Sequence, residues 1–120
     1  MFTTRLFEFE SKALLSGYGI TVPKGVVLEK ASSQASLQSL RLPSILKAQV
    51  PVGGRGKAGG VVRVDSLEEA ERQLDRIFAL TIGGFPVSYV LAEDVVEAGE
   101  ELYLSLLVDR GERRHVLMAG

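Results

Sequence analysis

Lys47 and the loop Gly53-Gly54-Arg55-Gly56-Lys57-Ala58-Gly59-Gly60 hold the residues of this chain best suited to chemistry. Five of those eight loop residues are glycine, and the other three include Arg55 and Lys57. A glycine-rich backbone lets successive N–H groups turn toward one ligand with no Cβ in the way. Two cations in the same loop make that ligand an anion, and a polyphosphate suits them best. A flexible tip with solvated charges is the plainer alternative. Lys47, one strand-length upstream, favours the phosphate reading.

Three phosphate motifs can be tested against this loop. A Walker A loop fails, because Pro51 stands where its first glycine should be and Ala58 follows Lys57. The Rossmann spacing is met by Gly54, Gly56 and Gly59, but that motif must open a helix. Val61, Val62 and Val64 follow instead, and they favour a strand. The kinase pattern Gly-x-Gly-x-x-Gly-x-Val fits Gly54 to Val61, yet the chain has no His-Arg-Asp or Asp-Phe-Gly element, and 120 residues cannot hold a kinase. The idea that survives is a β-hairpin whose tip closes over nucleotide phosphates.

Elements must position that tip. Thr3 and Thr4 can cap a first helix with Leu6, Phe9, Ala13 and Leu14 on one face, and Gly17 and Gly19 end it. Val22-Pro23-Lys24-Gly25 turns into a strand at Val26 to Leu28, and Ala31 to Leu40 reads as a weak helix or loop. After Pro43, Ser44 to Val50 is a strand leading into the glycine loop. Ser66 and Glu69 form a capping box for a helix whose apolar face is Leu67, Ala70, Leu74, Ile77 and Phe78. Gly83-Gly84 breaks the chain before three strands, Val87 to Val96, Glu101 to Asp109 and Arg114 to Met118, with turns at Ala98-Gly99 and Arg110-Gly111. Alternation of Leu102, Leu104, Leu106 and Val108 predicts an antiparallel meander with one buried face. The fold class is α+β, with short helices and a mixed or antiparallel sheet.

Composition narrows the function classes. At 120 residues the chain is one domain or part of one. A net charge of −1 gives no general electrostatic case for nucleic acid or an anionic membrane. No apolar run approaches the ~20 residues of a membrane span. Glu8 and Glu10 within the first apolar pattern argue against a signal or transit peptide. The absence of cysteine excludes disulfides, thiolate metal sites and a Cys nucleophile, and it suits a reducing cytoplasm.

A resemblance joins these pieces. Phe7 to Leu15, Tyr18 to Gly25, Lys47 to Val61, Glu100 to Ser105, Val108 to Arg110 and Arg113 to Ala119 occur in that order. Together they resemble the N-terminal part of the nucleotide-binding β subunit of succinyl-CoA synthetase (succinate–CoA ligase), in the ATP-grasp superfamily. The string Gly53 to Val61 is its most specific element, and malate–CoA ligases carry something close.

That resemblance implies a nucleotide lying between two antiparallel sheets. By position, Lys47 is similar to the lysine on the phosphates, and Gly54, Arg55 and Gly56 to the loop that covers them. Glu93 falls on the hinge strand expected to bind the adenine edge and sugar, and Glu101 on the acidic residue expected to accept ribose hydroxyls. Pro23 falls where ATP-preferring forms tend to have proline, so ATP is favoured and GTP is possible. Thr21, Ala92 and Val96 depart from the family pattern. The resemblance further implies Mg2+, with ligands outside this chain, and an α subunit that carries a phosphorylated histidine and the CoA site. The lone His115 is read as a strand histidine without a catalytic duty, and no catalytic or metal-ligating residue is expected here. Residues 1–120 are then a partial ATP-grasp domain, without its second half and the CoA-ligase domain, and are expected not to turn over alone. A strand closing at Met118-Ala119-Gly120 reads as a cut. A non-catalytic nucleotide-binding or assembly module, or the β subunit of a related acid–CoA ligase such as malate–CoA ligase, is the alternative.

Overall fold

The computed structural model describes residues 5–32, 36–97 and 99–120. Thr3 and Thr4, Ser33 to Ala35, and Ala98 lie outside the described residues, and with them the expected first cap, the middle of the Ser-rich segment and half of one turn.

The centre is a four-stranded antiparallel sheet in the order β1-β6-β2-β3, built from β1 (Gly25–Glu29), β2 (Ser44–Gln49), β3 (Val61–Val64) and β6 (Tyr89–Asp94). The expected strands at 26–28, 44–50 and 61–64 are all present. Register sets Lys47 opposite Val61 on β3 and opposite Leu91 on β6. Gly25 pairs with Glu93 at a place where only glycine fits, since a Cβ there would stand 2.7 Å from the Ala92 carbonyl oxygen.

Strand alternation gives the sheet two different faces. Leu28, Leu46, Ala48, Val64, Val90 and Ala92 point to one side and are almost fully buried against α2 (Leu67–Phe78). That helix follows its sequence pattern except at Leu67, which lies at its first position and stays exposed. Ala70, Leu74, Ile77 and Phe78 are buried, and the Ser66 side chain accepts from the Glu69 N–H at 3.1 Å. The reciprocal half of the capping box shifts by one residue, with Glu69 accepting from the Asp65 N–H. Each large buried side chain contributes about 1.5–3 kcal/mol of transfer free energy, so this face holds the fold together.

The opposite face carries Lys47, Gln49, Tyr89, Leu91 and Glu93, and α1 (Glu8–Gly17) lies over it. Helix α1 ends as expected. Gly19 adopts φ +85°, and the Ile20 N–H reaches the Leu15 carbonyl, a Schellman ending. Its docking face differs from the predicted stripe. Leu6 and Leu14 are about half exposed, no residue of α1 is fully buried, and Glu8, Phe9, Ser11 and Lys12 turn inward. Of the predicted stripe only Phe9 turns inward, because the sheet face below presents charged side chains beside Tyr89, and α1 answers them with charges.

Two hairpins complete the chain. Gly83 and Gly84, both at positive φ, turn a short hairpin of β4 (Thr81–Ile82) and β5 (Phe85–Pro86). Strands β7 (Leu104–Asp109) and β8 (Arg114–Ala119) pair only with each other. The expected meander with one buried face is therefore not formed. Strand β6 sits between β1 and β2 with both faces covered, while Leu104, Leu106 and Val108 are about two-thirds exposed.

Candidate functional site

Lys47 lies on the α1 side of β2, where a ladder of alternating charges runs beneath the helix. Its ammonium stands 2.9 Å from Glu8 Oε1 and 2.5 Å from Glu93 Oε1. Glu93 pairs through its other oxygen with Lys12 of α1. Glu8 reaches with its second oxygen to Arg55 Nη1, 2.6 Å away. The order is Lys12, Glu93, Lys47, Glu8, Arg55, three cations against two carboxylates.

The ladder is held from both ends. Gln49 is buried; its amide oxygen accepts the Phe9 N–H at 3.0 Å, and its nitrogen donates to the Lys47 carbonyl at 3.1 Å. Phe7, Phe9 and Tyr89 form an aromatic cluster with centroids 5.6–6.0 Å apart, which fixes the start of α1 on the sheet. The Phe7 N–H donates to the Glu10 side chain.

Burial pushes the Glu8 carboxyl upward, but hydrogen bonds from Lys47 and Arg55 outweigh it and hold the group below the usual carboxylate range. Burial lowers Lys47 in the same way, and bonds to Glu93 and Glu8 more than reverse that, so its ammonium is retained above the ordinary lysine range. Both are charged at neutral pH.

The glycine loop folds back on itself. The Ala58 N–H donates to the Gly54 carbonyl, and the Gly60 N–H donates to the Arg55 carbonyl at 2.7 Å. Gly54 and Gly59 take positive φ, +85° and +82°. A Cβ on Gly60 would come within 2.9 Å of Ile82 Cδ1 and 3.0 Å of Ala48 Cβ, so that glycine is needed for packing. Around Gly53, Gly54 and Gly56 there is open space. Arg55 spends only Nη1, on Glu8 and the Ala48 carbonyl, and among the described residues its remaining N–H groups face no partner. The arrangement puts open glycine backbone, a half-used guanidinium and a lysine ammonium side by side, the donor set an anion requires.

Sequence-predicted residues divide accordingly. Lys47, Arg55 and Glu93 come together, with Gly54 and Gly56 on the open side of the loop. Glu93 is 4% exposed and is no solvated strand end. Glu101 lies in the exposed connection between β6 and β7 and takes no part in the ladder. Pro23 lines an open cavity of about 530 Å³ with Phe9, Lys12 and Lys24. Lys57 is exposed. Glu8 and Lys12 were missed, although their i, i+4 spacing places them on one helix face and was the available signal. Among the described residues no three acidic or histidine side chains converge on a metal position, and no helix is long and apolar enough to cross a membrane.

Comparison with known proteins gives the context for this geometry. The family model described as an ATP-grasp domain matches residues 5–120. The β subunit of succinate–CoA ligase [ADP-forming] from Ignicoccus hospitalis is 44% identical over 96% of this chain, and those from Pyrobaculum aerophilum and Chloroflexus aggregans are each 40% identical over 97%. The chain spans about a third of these relatives, 31% of each. The crystal structure of phosphoribosylamine–glycine ligase from Thermotoga maritima shares the fold, with a TM-score of 0.56 and 21% identity, over 92% of this chain and 27% of that one.

Proposed function

The chain belongs to the ATP-grasp domain family, and from that premise we propose that Lys47 and the loop Gly54-Arg55-Gly56 hold the phosphates of ATP in the nucleotide-binding part of a succinate–CoA ligase β subunit. The observation that carries this reading is the meeting of Lys47 and Arg55 on one carboxylate, beside glycines whose faces are open. Polyphosphate demands several cations and backbone donors at one place, and here they share one. The relatives named succinate–CoA ligase [ADP-forming] subunit beta support the identity of the nucleotide and of the larger enzyme.

Glu93 serves on the floor of the site, and Glu101 is the proposed sugar contact. Pro23 borders the cavity where a base can lodge, and there it favours ATP over GTP. In this reading Mg2+ accompanies the nucleotide, with its ligands outside these residues. In the assembled enzyme, ATP turnover is coupled to interconversion of succinate and succinyl-CoA through a phosphohistidine on a partner α subunit. In this reading the protein works in the cytoplasm, and these 120 residues have no ligase turnover by themselves.

Titration of ATP and GTP against the wild type and Arg55→Ala tests the site. Saturable ATP binding, tighter than GTP and weakened at least tenfold by the substitution, is the expected result. Binding that Arg55→Ala leaves unchanged would refute the assignment. A second reading, a non-catalytic assembly module, is favoured by the exposed apolar β7–β8 hairpin. It predicts that the chain binds partners without ever contributing to thioester formation. Recovery of that reaction when the chain is supplied with the remaining ligase segments rules it out.

A further inference from the structure

Glu8 holds an unusual place in this arrangement. Its two oxygens contact Lys47 and Arg55, the very cations that the proposed function assigns to phosphate, at 2.9 and 2.6 Å. A carboxylate bridging an ammonium and a guanidinium mimics a phosphoryl group in charge sign, in acceptor type and in its two-oxygen reach. It also lines the open cavity of about 420 Å³ beside the loop, with Arg5, Ser11, Gly53 and Arg55. Any anion that enters there to meet both cations meets the carboxylate already bound to them. Glu8 is also 26% exposed as a side chain, so it can rotate outward toward water, whereas Glu93, at 5%, is locked.

We propose that Glu8 is a further residue of this site, an exchangeable counter-ion that keeps Lys47 and Arg55 together in the empty protein and is displaced when a nucleotide phosphate takes both cations. The idea rests on the nucleotide reading and adds a role for α1. The helix is fastened to the sheet through Glu8, Lys12 and the Phe9 region, so release of Glu8 removes one of its ties. Ligand entry and loosening of α1 are thereby coupled. The cost of displacing Glu8 is a tax on affinity, because two partly exposed ion pairs must break before the new ones form.

The full 120-residue chain and its Glu8→Gln variant are titrated with ATP and, separately, with inorganic tripolyphosphate at low salt. Removal of the competing charge is expected to tighten both ligands roughly fivefold. Equal or weaker binding by the variant, with wild-type binding intact, overturns the counter-ion role and leaves the nucleotide reading standing. Failure of both proteins to bind either probe overturns the two together. Should Glu8→Gln fold poorly, amide exchange across residues 11–16 of the wild type decides the matter. Saturating tripolyphosphate is expected to speed that exchange severalfold, and unchanged or slower exchange overturns the proposal.

Discussion

Replacing Lys47 with methionine tests whether the charge ladder supports the fold as well as the site. The substitution keeps most of the side chain's length and packing but removes the ammonium between Glu8 and Glu93. Glu93 is buried and would keep only Lys12; Glu8 would keep only Arg55. Stripping one partner from a fully buried ion pair costs about 3–5 kcal/mol. Here the second lysine remains on Glu93, and the Lys47 side chain is 24% exposed, so about 1–3 kcal/mol is expected. For a domain of this size that corresponds to a fall of about 4–12 °C in Tm. Urea denaturation of wild type, Lys47→Met, Glu93→Gln and the double variant closes a cycle. Because an amide in place of Glu93 relieves the stranded charge, the double variant should be more stable than the sum of the single losses predicts, by about 1 kcal/mol. Additivity within about 0.4 kcal/mol would show that the two side chains do not sense each other, and the ladder would have to be abandoned.

Four further outcomes follow from the geometry of the described residues. Gly60→Ala should cost about 1–3 kcal/mol, since its Cβ would press on Ile82 and Ala48, whereas Gly53→Ala, with open space around it, should stay within about 0.5 kcal/mol by chemical denaturation. Glu8 is held below the ordinary carboxylate range, so the unfolded chain takes up its proton first, and the stability it contributes is full above that range and drains away as pH falls through the lowered folded value; Glu8→Gln should flatten that acid limb in urea midpoints, and an unchanged limb would remove Glu8 from the ladder. Lys47, held above the ordinary lysine range, contributes fully below that range and loses its contribution only as pH rises through the raised folded value, so alkaline melts should show the complementary limb. Lysine at Leu104 and Leu106, which are 71% and 67% exposed, should leave Tm nearly unchanged while lowering self-association in sedimentation, and a large loss of stability would mean that the hairpin packs on the rest of the chain.

The legible parts of this fold are those where one physical rule acts alone. Helix α2 has an apolar face, a Ser66 cap and a largely apolar partner surface, and of its expected face only Leu67, in the first turn, stays exposed. Strands β2 and β3 flank a loop that nothing but a turn could use, and Lys47 falls beside Arg55 because a hairpin brings its ends together. The last two strands form and pair antiparallel as expected, but their burial and their link to β6 were misread for the opposite reason. Alternation of Leu102, Leu104, Leu106 and Val108 states that one face wants an apolar partner, but it does not say which element supplies it. In the described residues those side chains remain largely exposed, and β6 finds its neighbours in β1 and β2 instead.

Helix α1 shows a deeper limit and also explains the site. Apolar periodicity locates the inward face of a helix only when the surface below is apolar. The two faces of this sheet ask for different things: Leu46, Ala48, Val90 and Ala92 call for a greasy helix, while Lys47 and Glu93 call for compensating charge. Glu8 and Lys12, one helical turn apart, provide it, each meeting the opposite sign. A helix docked largely by ion pairs and one aromatic cluster is held less firmly than one docked by a core, because partly exposed charge pairs contribute little each. Such a helix can yield to a competing anion, whereas α2 cannot. The same division that hid the docking face of α1 from a hydrophobic reading therefore gives the sheet one apolar side for stability and one charged side, where the proposed phosphate contacts stand.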